Sequence, residues 1–83
     1  MDKAIKLLQV LDETREEMST NRLAQATGID ANLVDYFMGH AADMGRVVRR
    51  TEEGHRRNKP TNYYMLIGEG RRYLARKLKE AEG

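Results

Sequence analysis

Residues 46–59, Arg-Val-Val-Arg-Arg-Thr-Glu-Glu-Gly-His-Arg-Arg-Asn-Lys, carry six basic side chains against two acidic ones, with Gly54 near the middle. Val47 and Val48 are β-branched and flanked by arginines, which favours an extended strand over residues 46–51. Gly54 and Pro60 break the polar stretch that follows, so 52–62 reads as a long loop. Tyr63, Tyr64, Met65, Leu66 and Ile67 form an aromatic and apolar run that reads as the returning strand of a hairpin. The loop is too long for a two-residue turn, so turn chemistry does not fix the register.

The chain before this hairpin reads as helical. Asp2 is a good cap for a first helix reaching about Glu13, with Ala4, Leu7, Leu8 and Leu11 on one side at helical spacing. Met18 is a lone apolar residue that suits a short strand or a plug in the core. Ser19 caps a second helix, 20–26, which buries Leu23, Ala24 and Thr27. Gly28 stops that helix, since glycine takes the left-handed conformation without a Cβ penalty. Ile29 plugs the turn, and Asp30 caps a third helix from Ala31 to about Met44, ended by Gly45. On this third helix Leu33, Val34, Phe37, Ala41 and Met44 define a buried face. At about 100° per residue, Asn32, Asp35, Tyr36, Gly39 and Asp43 fall opposite, with His40 at the edge. A last helix, 69–81, buries Leu74, Leu78 and Ala81, with Tyr73 at its margin and Arg72, Arg76 and Lys79 outward.

Eighty-three residues are expected to form a single domain over 1–83, burying about 60% of the surface of the unfolded chain. There are no cysteines, which excludes disulfides, thiolate metal sites and cysteine nucleophiles. No run approaches the roughly 18 apolar residues of a membrane span, and no signal-peptide core is present. The expectation is a soluble, cytoplasmic protein. The net charge is only +2, but residues 1–45 hold four Lys/Arg and eight Asp/Glu while residues 46–83 hold eleven and five. A C-terminal half this cationic points to a polyanionic partner.

Catalysis finds little support. The chain has two histidines, His40 and His55, and Ser19 is committed to a helix cap. The histidines lack metal-ligand spacing with any third ligand, and Gly68 and Gly70 lack a phosphate-loop context. The carboxylates at Glu16 and Glu17 look solvated. The chain is therefore not expected to be an enzyme or to need a metal or other cofactor.

Three phrases, in order, carry a family resemblance: residues 19–30 (STNRLAQATGID), 44–50 (MGRVVRR) and 66–74 (LIGEGRRYL). Together they resemble the winged helix–turn–helix superfamily, especially small repressors of the multiple-antibiotic-resistance and phenolic-acid-repressor type. The resemblance implies an α+β fold: three N-terminal helices, a two- or three-stranded β-hairpin wing and a C-terminal helix. It also implies a transcriptional regulator that binds double-stranded DNA, localised to the nucleoid when bound. The third helix would lie in the major groove and the wing would reach the backbone or minor groove. Carried over by position, Asn32 and Tyr36 would read bases or meet phosphates. Arg46, Arg49, Arg50, His55, Arg56, Arg57 and Lys59 of the wing, with Arg22 of the second helix, would contact DNA.

The third helix departs from the pattern by offering no Lys or Arg and two carboxylates, Asp35 and Asp43, which moves the expected affinity toward the wing. Family members often pair through the first or last helix, so a homodimer is also implied; Ile5 and Val10, apolar beyond one stripe, hint at the first. Two alternatives stay open: a protein–protein contact module using the acidic third-helix face, and a binder of single-stranded nucleic acid or RNA through the wing and its tyrosines. Alternation would send one of Tyr63 and Tyr64 inward and leave the other over the sheet. The five methionines read as core fillers.

Overall fold

The structure is a computed structural model and describes residues 2–54 and 59–82. Helix α1 (Lys3–Thr14) starts where the Asp2 carboxylate accepts the backbone N–H groups of Ala4 at 2.7 Å and Ile5 at 3.4 Å. It ends at Arg15, a non-glycine residue at φ 56° whose N–H reaches the Leu11 carbonyl at 3.0 Å. Strand β1 (Met18–Ser19) follows, and the Ser19 hydroxyl then caps α2 (Thr20–Thr27) by accepting the Arg22 N–H at 3.2 Å.

The end of α2 is tied down from two sides. The buried Thr27 hydroxyl donates to the Leu23 carbonyl at 2.6 Å and accepts the Ile29 N–H at 3.2 Å. Lys6 Nζ donates to the Thr27 carbonyl at 2.8 Å, placing a cation on the negative end of the helix and fastening α1 to α2. Gly28, at φ 74°, turns the chain into α3 (Ala31–Asp43), capped by Asp30 through the Asn32 N–H at 3.0 Å. Gly45, at φ 75°, releases the chain into the hairpin of β2 (Val47–Glu52) and β3 (Thr61–Leu66), and α4 (Gly68–Glu82) closes the fold.

The sheet has three antiparallel strands in the order β1-β3-β2. Its register pairs Val47 with Leu66, Arg49 with Tyr64 and Glu52 with Thr61, while Met18 lies opposite Tyr64. The returning strand thus begins two residues earlier than the tyrosine run predicts. The pairs Thr51–Asn62 and Glu52–Thr61 extend it, and the Thr51 hydroxyl meets the Asn62 side-chain oxygen at 2.8 Å. Met18 is both strand and plug, since it pairs in the sheet and is buried.

The core joins Leu7, Leu8 and Leu11 of α1 to Leu23, Val34, Met38, Tyr64 and Leu74. Several expected faces shift. On α3 the buried set is Val34, Met38 and Ala41, whereas Leu33 and Met44 are 38% and 51% exposed. Two neighbouring stripes of this helix are apolar, so periodicity alone could not choose between them; packing against α1, α2 and β2 selects the second. Ile5 is buried and Val10 packs against the core, so both serve this chain's own interior. Ala81 is exposed at the open end of the groove between α1 and α4. Of the described methionines, Met18 and Met38 fill the core while Met44 and Met65 are exposed. No helix among the described residues is long and apolar enough to cross a membrane.

Candidate nucleic-acid interface

With Val34, Met38 and Ala41 turned inward, the stripe of α3 left to solvent is Asn32, Leu33, Tyr36, His40 and Asp43. These positions fall within about 100° of one another at the helical step of about 100° per residue. Tyr36 is 71% exposed, and its ring meets Phe37 edge-on at 5.4 Å.

Asp35 does not belong to this stripe, contrary to the sequence expectation. Its Oδ1 accepts the Tyr64 hydroxyl at 2.7 Å, the Thr20 hydroxyl at 2.7 Å and the Asn62 amide at 3.4 Å. A buried tyrosine hydroxyl needs a partner, and the inward turn of α3 delivers this carboxylate to it. Asp35 is therefore a joint that ties α3 to the start of α2 and to β3. The Tyr64 hydroxyl is pushed up to about 12, by burial first and by the hydrogen bond to the Asp35 carboxylate next. Gly39 also leaves the outward face: it is half-buried, and Arg49 Nη1 lies 3.6 Å from where a Gly39 Cβ would stand.

The wing arginines divide by partner. The Arg50 guanidinium grips both oxygens of Glu17, with Nε at 3.2 Å, bonds Glu52 through Nη1 at 2.8 Å, and covers the Tyr63 ring at 4.4 Å. The hydrogen bond from Arg50 holds the Glu17 carboxyl below its usual value. Arg46 lies over the Tyr73 ring at 3.5 Å, half-buried, and its carbonyl accepts the Ile67 N–H at 3.2 Å. Both arginines, expected on the phosphate side, are engaged within the molecule. They clamp the hairpin to the segment before β1 and to α4. The sequence expectation missed this because the partners, Glu17 and Tyr73, are remote in the chain.

Arg49 is exposed and makes no ion pair among the described residues. Lys59 is likewise exposed and borders a shallow cleft of about 370 Å³ together with Thr20, Asn21, Asp35 and Asn62. This cleft brings together the first turns of α2 and α3 and the base of the returning strand. Arg22 is exposed on the first turn of α2. His55, Arg56 and Arg57 lie outside the described residues. Thr20 and Asn62, both central to the joint, went unrecognised in the sequence. The available signal was a second hydroxyl directly after the capping Ser19, and a tyrosine at an inward strand position that requires an acceptor.

No family model matches the sequence, and no curated protein matches it. Solved structures do share its fold. BpsR of Bordetella bronchiseptica, whose DNA binding is regulated by 6-hydroxynicotinic acid, matches with TM-score 0.76 and 20% identity over 99% of this chain and 55% of its own. A PadR-family transcriptional regulator from Eggerthella lenta DSM 2243 matches with TM-score 0.73 and 23% identity over 92% of this chain and 70% of its own. NadR in complex with 4-hydroxyphenylacetate matches with TM-score 0.71 and 20% identity over 96% of this chain and 53% of its own. The chain thus spans about half the length of BpsR and NadR. Its order of helices, its three-stranded antiparallel sheet and its likeness to these regulators establish the fold as a winged helix–turn–helix.

Proposed function

We propose that this chain forms a single winged-helix domain that binds double-stranded DNA as a transcriptional regulator, in the cytoplasm and on the nucleoid. The observation that carries the reading is the unpacked stripe of α3, which the body leaves to solvent beside the exposed Arg49 of the wing. In this reading α3 enters the major groove through Asn32 and Tyr36, as recognition helices do. Arg49, Arg56, Arg57 and Lys59, with Arg22 on α2, neutralise phosphates, and His55 adds charge when protonated. Arg46 and Arg50 act indirectly by holding the wing in place. The inward placement of Asp35 supports the reading, because it removes one of the two carboxylates that would have faced the phosphates.

Titration of a labelled random duplex over a range of salt is the test. Log affinity is expected to fall with log salt by about 0.9 for each phosphate neutralised. Arg49→Ala should lower that slope by about 0.9, and Arg56→Ala with Arg57→Ala by about 1.8. A slope that ignores all three arginines ends the reading. Exposed Leu33, Tyr36 and Met44 on and beside the stripe favour a second reading, a protein-contact surface. That reading predicts no duplex affinity at low salt.

The proposal includes a homodimer. A groove of about 580 Å³ runs between the start of α1 and the end of α4, lined by Ile5, Tyr73, Leu78 and Ala81 and rimmed by Asp2, Lys77 and Glu80. A two-fold axis brings the same patch of each copy together, so acidic and basic rims can face each other across it. Sedimentation is expected to give twice the monomer mass, and Leu78→Asp the monomer mass; a wild-type monomer at tens of micromolar would count against pairing.

A further inference from the structure

Resting on the duplex-DNA reading, the chemistry of α3 also narrows which base pairs the helix meets. No Lys or Arg occurs from Ala31 to Met44. Guanine offers two acceptors, N7 and O6, in the major groove, and a bidentate cationic side chain is its commonest specific partner. This helix has none to offer. The base-reading positions of a recognition helix lie in its N-terminal part, which here means Asn32, Leu33 and Tyr36.

The Asn32 side chain is exposed and makes no hydrogen bond among the described residues. Its amide supplies the donor and acceptor that match adenine N7 and N6. Leu33 and Tyr36, 38% and 71% exposed, present methyl groups and a ring edge. These suit the 5-methyl group of thymine. A guanine O6 or cytosine amino group pressed against the Leu33 methyl groups loses water and gains no partner. His40 and Asp43 stand one and two turns beyond Tyr36, past the base-reading turns, and Asp35 is bound inward by Tyr64 and Thr20.

We propose that α3 selects A·T base pairs, with Asn32 specifying an adenine and Leu33 and Tyr36 seated on neighbouring thymine methyl groups. The test selects bound duplexes from a random pool with the full chain and repeats the selection with Asn32→Ala and Leu33→Ala, both exposed positions. A contiguous A·T block is expected. Asn32→Ala should relax preference at one adenine by about tenfold, with an unchanged salt slope. Replacing thymine by uracil in the selected site removes the methyl groups and should weaken wild-type binding several-fold, with little further loss for Leu33→Ala. A motif anchored on guanine overturns the proposal, as does salt-dependent binding without any motif, and either leaves the duplex reading standing. Absence of duplex binding at low salt overturns both.

Discussion

Gly70→Ala is expected to destabilise the fold by about 3 kcal/mol or more, near the upper end of overpacking costs. A Cβ at this position would stand 2.0 Å from the Arg46 carbonyl oxygen and 2.5 Å from Leu66 Cδ1. The first of these atoms is backbone, and that carbonyl also accepts the Ile67 N–H. It cannot retreat without loosening the junction between the hairpin and α4. Gly68→Ala is the matched control: it lies two residues earlier at the start of the same helix, with nothing within 4 Å of its would-be Cβ. It should melt close to wild type, whereas Gly70→Ala should melt more than about 10 °C lower. Equal melting of the two variants would mean that α4 does not approach Arg46 this closely.

The second large effect is expected at the Asp35 joint. Asp35→Ala leaves the hydroxyls of Tyr64 and Thr20 without their short acceptor, at a cost of about 2–3 kcal/mol. Tyr64→Phe removes one donor and leaves Thr20 and Asn62 on the carboxylate, so about 1 kcal/mol is expected. The double variant should lose less than the sum, because both changes break one shared bond.

The joint also has a pH signature. The Tyr64 hydroxyl is raised to about 12 in the fold, against about 10 for an unfolded tyrosine. The unfolded chain therefore releases its proton first as pH rises. The contribution is complete below pH about 10 and is lost as pH rises from about 10 to about 12. Urea unfolding across that window should show wild type losing stability faster than Tyr64→Phe. Parallel curves would remove the buried hydroxyl from the account.

The resemblance phrases lie where the structure uses them: residues 19–30 form the cap, second helix and turn, and residues 44–50 open the wing. Ser19, Asp2 and Asp30 are caps, as their side-chain chemistry and positions indicated. Such features are local, and a capping oxygen needs only the next three residues to act. The site was less legible. Asp35 looked like an exposed acid on the recognition face, and Arg50 looked like a phosphate ligand. Their partners sit 29 and 33 residues away, at Tyr64 and Glu17, and no local pattern encodes such a meeting.

By itself, the sequence determined the elements and their order: three capped helices, a basic hairpin, a closing helix, and a charge that changes sign along the chain. Those follow from side-chain periodicity, capping oxygens and glycines, all of which act over one or two turns of chain. Only the tertiary structure decided which of two apolar stripes α3 buries, since both have helical spacing and only packing against α1, α2 and β2 separates them. That rotation moved Asp35 inward to Tyr64, brought Leu33 out beside Asn32 and Tyr36, and set the chemistry of the outward face.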